Sequence, residues 1–398
     1  MKNERICVVL IIFSFDIEFV GGGISRFVVS LSQELDINQF QIVVCGLWNR
    51  GTDVEEKRIQ ALNEAGIQAF TCASWDEKHP YRAFKEAYCH LRSVIKSYQL
   101  GILHSHSLFG DIAALLLKFE RKTPIIVRTL HNELRTEWNR RPLRRLILTN
   151  LLYPLVFDTE IGVSQYIASN LDQRWFARRL GRRALVIHNA LDFDRFARVD
   201  HDRGKIRRNL GIPTDVYLVG SVGRLTAQKG YDVLLESIAQ VVKIFTNTYF
   251  VIIGDGENAA ALKKQALDLG ITDRVIFTGP RSDIEEVLYA MDLFVSSSRW
   301  EGLSTVLMEA MVVGVPIVAT DIPGNRELLQ PGISAWFVPV DNAEALAEGI
   351  IEAYQKPDLS REFAIQGRQR VQSFRIDHIA KLHEQLYHRL INCRNIDR

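Results

Sequence analysis

Short β-branched runs alternate along this chain with longer segments of helical period, and the whole alternation happens twice, which restricts the fold more than any other feature. Runs at 6–13, 41–47, 101–105, 125–130, 160–163 and 184–187 read as strands with helical segments between them, the signature of a parallel sheet with crossover helices. The pattern pauses over 189–213, a polar and charged stretch without a long apolar run. A second series follows at 217–222, 249–253, 274–277, 293–296 and 316–319. The expected class is α/β, with two Rossmann-like doubly wound domains, 1–195 and 196–375, whose ligand-bearing strand ends face across a cleft. A last helical pattern within 376–391 has no strand to cross to and is expected to pack back on the first domain.

Composition supports two such cores. Of 398 residues, 47% are apolar and 24% charged, which excludes a disordered or collagenous chain. The 49 basic and 47 acidic residues leave a net charge of +2, against a dedicated nucleic-acid binder. That total hides an asymmetry: residues 121–208 hold 19 Lys/Arg against 9 Asp/Glu, so the rest of the chain is acidic. Five cysteines (Cys7, Cys45, Cys72, Cys89, Cys393) lack C-x-x-C spacing and fit a reduced cytosol. Lys2 and Arg5 precede an apolar run as in a signal peptide, but Asp16 and Glu18 stand where a cleavage site would, so the run reads as a buried first strand. No apolar run reaches the ~20 residues of a spanning helix, which makes any membrane role peripheral. The expected location is cytoplasmic, peripheral on the inner face of the membrane if the basic stretch docks there.

Chemistry concentrates at strand-to-helix junctions. Gly21-Gly22-Gly23 opens a helix, where glycine lets backbone amides approach a phosphate at a helix N-terminus; a tight turn without ligand is the alternative. It lacks G-x-G-x-x-G spacing and a P-loop lysine. Gly254-Asp255-Gly256 carries the same ambiguity. Arg224 and Lys229, five apart after the first strand of the second series, could clamp a diphosphate, Arg as a fork and Lys as a point charge, or be solvated surface charges. The most informative segment runs from Arg299 to Ala310. Glu301 stands in the loop after a strand, Ser304 and Thr305 at a helix N-terminus and Glu309 on that helix. Carboxylates accept from sugar hydroxyls and the intervening amides receive phosphate oxygens, so one loop could hold both polar ends of a sugar nucleotide.

In their joint order these residues resemble the retaining glycosyltransferases of family 4, whose architecture is the GT-B pair of Rossmann-like domains. The marks are Gly22-Gly23, His131 in Thr129-Leu130-His131-Asn132, Val163-Ser164, His188-Asn189-Ala190-Leu191-Asp192, Gly223-Arg224-Leu225, Lys229-Gly230, Gly254-Asp255-Gly256 and the E-x7-E pair Glu301 and Glu309. The resemblance covers nearly the whole chain. It implies transfer of a sugar from a nucleoside diphosphate sugar to a carbohydrate or lipid-linked acceptor, with retention, in surface polysaccharide or glycolipid assembly and without metal or other cofactor. It implies that Arg224 and Lys229 hold the donor diphosphate and Glu309 the ribose hydroxyls. Glu301 would contact the transferred sugar, with the amides of Gly302, Leu303, Ser304 and Thr305 nearby. Gly22 and Gly23 would approach the phosphate, His131 would orient the sugar or share protons with it, and the base would lie near Gly279 and Arg281. The mechanism implied is front-face, with no enzymic nucleophile.

Two departures stand out. Many relatives carry Gly-Gly-x-Glu where this chain has Gly22-Gly23-Ile24-Ser25, and often Asn-Gly-Val-Asp where it has Asn189-Ala190-Leu191-Asp192. Asp192-Phe193-Asp194 matches a metal-carrying D-x-D but does not cap a strand and reads as a chance match. His104 and His106 lack carboxylate or thiolate company at ligand spacing and read as structural. Arg135, Arg140, Arg141, Arg144 and Arg145 beside the apolar stretch 143–157, with a second cluster of Arg174, Arg178, Arg179, Arg182 and Arg183, suit either an anionic membrane contact through 135–183 or a solvated flank. The competing readings are a non-hydrolysing sugar-nucleotide epimerase and a non-catalytic sugar-nucleotide-binding scaffold.

Overall fold

The computed structural model of the chain describes residues 5–16, 22–76, 78–98, 100–120, 125–132, 147–198 and 202–396. The chain divides into two compact units, Met1–Ala190 with Ile376–Arg398, and Leu191–Arg375.

The first unit is built on a seven-stranded parallel sheet: β1 (Ile6–Ile12), β2 (Phe40–Asn49), β3 (Gln68–Ser74), β4 (Leu100–Ser105), β5 (Ile125–Leu130), β6 (Thr159–Gly162) and β7 (Leu185–Val186). Its order is β3-β2-β1-β4-β5-β6-β7. The continuous apolar run of β1 follows from burial on both faces. Val8, Leu10 and Ile12 point to the side covered by helices Gly22–Glu34 and Ile376–Ile396, while Cys7, Val9 and Ile11 point to the side covered by Pro80–Ile95 and Leu108–Phe119.

The second unit repeats the plan with six parallel strands: β8 (Tyr217–Val222), β9 (Thr248–Ile253), β10 (Val275–Gly279), β11 (Leu293–Ser296), β12 (Ile317–Thr320) and β13 (Trp336–Val338), in the order β10-β9-β8-β11-β12-β13. Helices Tyr231–Ile244 and Ala343–Gln355 pack Leu234, Leu235, Ile238, Leu346 and Ile350 against Val219, Phe250 and Val318.

Two strands, β3 and β13, escape the sequence reading, and both are sheet edges. β3 is mixed in polarity, with only Ala69 and Cys72 buried, and β13 has three residues, so neither carries a β-branched run. β7 is also shorter than the run that suggested it. In each sheet the strand order reverses once, between β1 and β4 and between β8 and β11. Ligands of doubly wound sheets bind outside the carboxyl ends of the strands at such a point.

Candidate functional site

In the second unit the residues singled out by sequence gather at the carboxyl ends of β8 and β11. The loop after β8 carries Arg224 and Lys229, and Gly230 then starts helix Tyr231–Ile244 in the left-handed region at φ 63°. A Cβ on Gly230 would stand 2.2 Å from Ser297 O, so only glycine lets this loop lie against the one that follows β11. Ser297 Oγ donates to Lys229 O across the same contact at 2.8 Å. Glu301, 7% exposed, accepts on Oε1 from Lys229 Nζ at 2.5 Å and from Ser298 Oγ at 2.8 Å. Gln228 Nε2 donates to Trp300 O at 3.0 Å and reaches Glu301 Oε2 at 3.4 Å. Lys229 and Glu301, which the family resemblance assigns to different parts of one ligand, therefore form an ion pair here. Arg224 is exposed on the same loop.

The loops around this pair hold it in shape. A Cβ on Gly254 would lie 2.0 Å from Gly223 O, and Leu225 N donates to Asp255 O while Asn258 N donates to Leu225 O, each at 2.9 Å. The Gly254-Asp255-Gly256 turn is thus a splint for the Arg224 loop. Beside it, Gly254 N donates to Gly279 O at 2.9 Å, and Arg281 is tied to Asp283 by bonds of 2.8 and 2.5 Å. Gly302, Leu303 and Ser304 lead into helix Thr305–Val313. Ser304 is its N-cap, accepting from Leu307 N at 3.4 Å, and Glu309 lies in its second turn at 2% exposure.

The first unit gathers imidazoles instead. His131 follows β5, with Nδ1 3.0 Å from Asn189 Oδ1 and Nε2 3.2 Å from Nδ1 of His106, which follows β4. His104 bonds Tyr387 Oη and Thr129 Oγ1 at 2.8 Å each, and His383 Nδ1 donates to Ile379 O at 3.0 Å. Phe27 sets its ring about these groups, 5.9 Å from His131 and 6.1 Å from both His106 and His383. Burial lowers His131 to about 4, His383 adding to the effect and the Asn189 bond opposing it. Burial likewise brings His383 to about 4 and, with the neighbouring imidazoles, holds His104 and His106 well below the ordinary histidine range. The cluster is uncharged at neutral pH.

His106 and Asn189 were not among the site residues drawn from sequence. Their signals were present, His106 two places from His104 on one strand face and Asn189 inside a motif, but only the adjacency of β4 and β5 joins His106 to His131. Gly22 and Gly23 begin helix Gly22–Glu34 itself. Ser25, where relatives carry Glu, donates from Oγ to Ser14 O at 2.6 Å and fastens that helix to the chain leaving β1. Ala190 replaces a glycine without adopting positive φ, so the turn does not require one.

One reading is corrected. Arg174 does not belong to an exposed basic cluster: it is buried and paired with Glu160, beside buried Arg128, which lies 3.2 Å from Asp111. Arg178, Arg179, Arg182 and Arg183 are exposed, whereas Arg135, Arg140, Arg141, Arg144 and Arg145 lie outside the described residues. Asp192 Oδ1 accepts from Asp194 N at 2.9 Å, a local turn, and no group of three or more His, Cys, Asp or Glu among the described residues is arranged to hold a metal ion. Among those residues no helix is long and apolar enough to cross a membrane. A cavity of about 390 Å³ lined by Arg203, Tyr217, Asp292 and Pro316 sits at the amino ends of β8, β11 and β12, away from the candidate residues.

Two family models match the chain, "Glycosyltransferase Family 4" over residues 21–195 and "Glycosyl transferases group 1" over 202–370. The lipopolysaccharide core biosynthesis glycosyltransferase LpsE of Rhizobium meliloti (strain 1021) is 32% identical over 188 residues, 47% of this chain and 52% of that protein. The UDP-Gal:alpha-D-GlcNAc-diphosphoundecaprenol alpha-1,3-galactosyltransferase of Escherichia coli is 26% identical over 271 residues, 66% of this chain and 68% of that one. The match thus spans about half of the first relative and two thirds of the second. Among solved structures, Anabaena HepE in complex with UDP and glucose superposes with a TM-score of 0.78 at 19% identity, covering 96% of this chain and 99% of that one. Sucrose-phosphate synthase from Thermosynechococcus elongatus gives 0.81 at 20% identity, with coverage of 98% and 100%. At these identities the likeness shows the fold.

Proposed function

The chain belongs to the family 4 glycosyltransferases and has their GT-B fold, and from that premise we propose that it moves a sugar from a nucleoside diphosphate sugar to a carbohydrate or lipid-linked acceptor with retention of anomeric configuration. The observation that carries this reading is the Lys229–Glu301 pair at the strand-order reversal of the second unit, flanked by exposed Arg224 and the capped N-terminus of helix Thr305–Val313.

Arg224 and Lys229 take the donor diphosphate, with the amides of Gly302 to Thr305 and of Gly22 and Gly23 adding donors. Phosphate oxygens draw Lys229 away from Glu301, and the carboxylate then accepts from hydroxyls of the transferred sugar, so donor binding arms both residues together. Glu309 accepts from the ribose, and Gly279 and Arg281 border the base. As the glycosidic bond to the diphosphate breaks, negative charge grows on its leaving oxygen, where Lys229 and Arg224 stabilise it. The acceptor hydroxyl attacks on the same face and passes its proton to that leaving oxygen. His131 orients the sugar. The two cations supply the charge that a divalent ion gives elsewhere, so transfer continues in EDTA.

A panel of sugar nucleotides, with and without lipid-linked acceptors, tests this by released nucleoside diphosphate. Acceptor-dependent release with an axial-to-axial or equatorial-to-equatorial product is expected. Product formed without acceptor would point to an epimerase, and a rate abolished by EDTA and restored by manganese would remove the metal-free clamp. The names of the curated relatives support surface polysaccharide or glycolipid assembly as its setting.

We further propose that the first unit touches an anionic membrane. Ile147, Leu151 and Leu155 are exposed at four-residue spacing, Trp175 is 70% exposed, and Arg178, Arg179, Arg182 and Arg183 lie beside it. Such a mixture suits the headgroup region, each arginine contributing about 1 kcal/mol near an anionic surface. Flotation with anionic vesicles should recover the protein severalfold better than with neutral ones, and equal recovery would refute charge-driven docking.

A further inference from the structure

Asn189, His131 and His106 form a chain in which each proton position is set by a neighbour. The carbonyl oxygen that Asn189 presents can only accept, so His131 carries its proton on Nδ1, at 3.0 Å. Nε2 of His131 is then a lone pair, and His106 donates to it from Nδ1 at 3.2 Å. His106 Nε2 is left bare, buried and without a hydrogen-bond partner among the described residues. Both nitrogens of His131 are therefore engaged by the protein.

We propose that His106 is a positioning residue for sugar transfer: it holds His131 as the Nδ1–H tautomer and fixes its ring plane, so that His131 meets the sugar through the C–H edge of its ring and takes no part in proton transfer. The inference rests on the reading above that His131 meets the transferred sugar. It is independent of the donor's identity. The surroundings favour a neutral chain from every side. His106 faces His104, whose ring centroid is 4.2 Å away near the end of β4, His131 after β5, and Phe27 on helix Gly22–Glu34. His383 on helix Ile376–Ile396 adds a further imidazole whose charge would oppose a proton on His106. A proton added to His131 Nε2 would meet the His106 N–H head-on unless His106 moved its own proton to Nε2, which is buried without a partner among the described residues, so the contact favours a neutral His131.

The test labels all histidines with nitrogen-15, assigns His131 through His131→Gln, and compares wild type with His106→Phe and His106→Asn by imidazole correlation spectra and steady-state transfer. Phenylalanine keeps the ring volume without the donor, while asparagine restores an N–H near the position of Nδ1. Wild type should show a protonated Nδ1 and a bare Nε2 on His131. In His106→Phe that tautomer should become mixed, kcat should fall about ten-fold with donor KM within about three-fold, and the acid limb of kcat should move toward neutral pH. His106→Asn should recover most of kcat. An Nε2–H tautomer in wild type, undiminished kcat in His106→Phe, or no advantage of Asn over Phe would each overturn the proposal. Absence of transfer by wild type over the whole donor panel would count instead against the transferase reading, and the tautomer spectra would still decide whether His106 sets the proton on His131.

Discussion

At the strand ends of the first unit stand buried imidazoles with no net charge; at the corresponding ends of the second stand an ion pair, an exposed arginine and a tethered one. The sheets have the same all-parallel plan and each reverses strand order once. On the proposed function, topology marks where a ligand would meet each unit, and the side chains decide which chemistry suits it. A charge at a strand end must be paired or wet, which is why Lys229 and Glu301 hold one another, an arrangement that a donor phosphate would have to break on the proposed function. An imidazole can be buried because it can shed its proton and its neutral ring can be hydrogen-bonded inside, as His104 is to Tyr387 and Thr129 and His131 is to Asn189. The second arrangement suits a diphosphate and the first a polar but uncharged sugar.

Removing the cation tests this contrast most severely. Lys229→Ala should lower kcat/KM for transfer by about 10²–10³-fold, the range seen when one preorganised donor to a developing oxyanion is lost. Thermal stability should also fall, because Glu301 is left buried without its cation and keeps only the bonds from Ser298 and Gln228, so transfer is compared on protein shown to be folded. Near-wild-type turnover with an authentic donor and acceptor would show that the second unit's charges do not serve the diphosphate.

The sequence exposes the central strands because burial on both faces demands continuous apolar runs, as in Ile6–Ile12 and Tyr217–Val222. It does not expose β3 or β13, since an edge strand needs neither two apolar faces nor length. The site is legible to the same degree. Motif order picks out Arg224, Lys229, Glu301 and Glu309, but the bond between Lys229 and Glu301 spans 72 residues and exists because β8 neighbours β11. His106 reads as structural until β4 is known to lie beside β5. Arg174 misleads for a related reason: it sits among four exposed arginines in sequence, yet its partner Glu160 comes from β6, 14 positions away with no helical relation to it.

Acid should separate the units next. His131 is lowered to about 4 by burial, so below the ordinary value near 6.5 the unfolded chain takes up a proton that the folded chain refuses. The unfolded state then binds more protons, stability falls as pH drops from 6.5 toward 4, and it is level above 6.5. By pH 5 this one group should account for about 2 kcal/mol, with His383 acting in the same direction. Denaturant unfolding of wild type and His131→Gln at pH 5 and 7.5 measures it: the variant should lose less stability on acidification. An equal loss in both would mean that His131 is not held neutral by burial.

The smallest expected effect distinguishes a cap that serves structure from one that also serves a ligand. Ser164 caps helix Gln165–Asp172 in the first unit, its Oγ 3.2 Å from Ile167 N, and Ser304 caps Thr305–Val313 in the second at 3.4 Å from Leu307 N. Either serine replaced by alanine should cost about 1 kcal/mol, the longer bond of Ser304 placing it at the lower end. Transfer should separate them. On the proposed donor site, loss of the Ser304 cap frays the turn whose amides would meet the diphosphate, so kcat/KM should fall by about three- to ten-fold, a loss of roughly 1 kcal/mol in a charge-to-dipole contact. Ser164→Ala, whose helix carries none of the donor-binding residues, should leave kcat/KM within about two-fold once the protein is folded. Equal losses of transfer in both variants would mean that fraying acts through general stability, and the amides of Thr305–Val313 would drop out of the donor site.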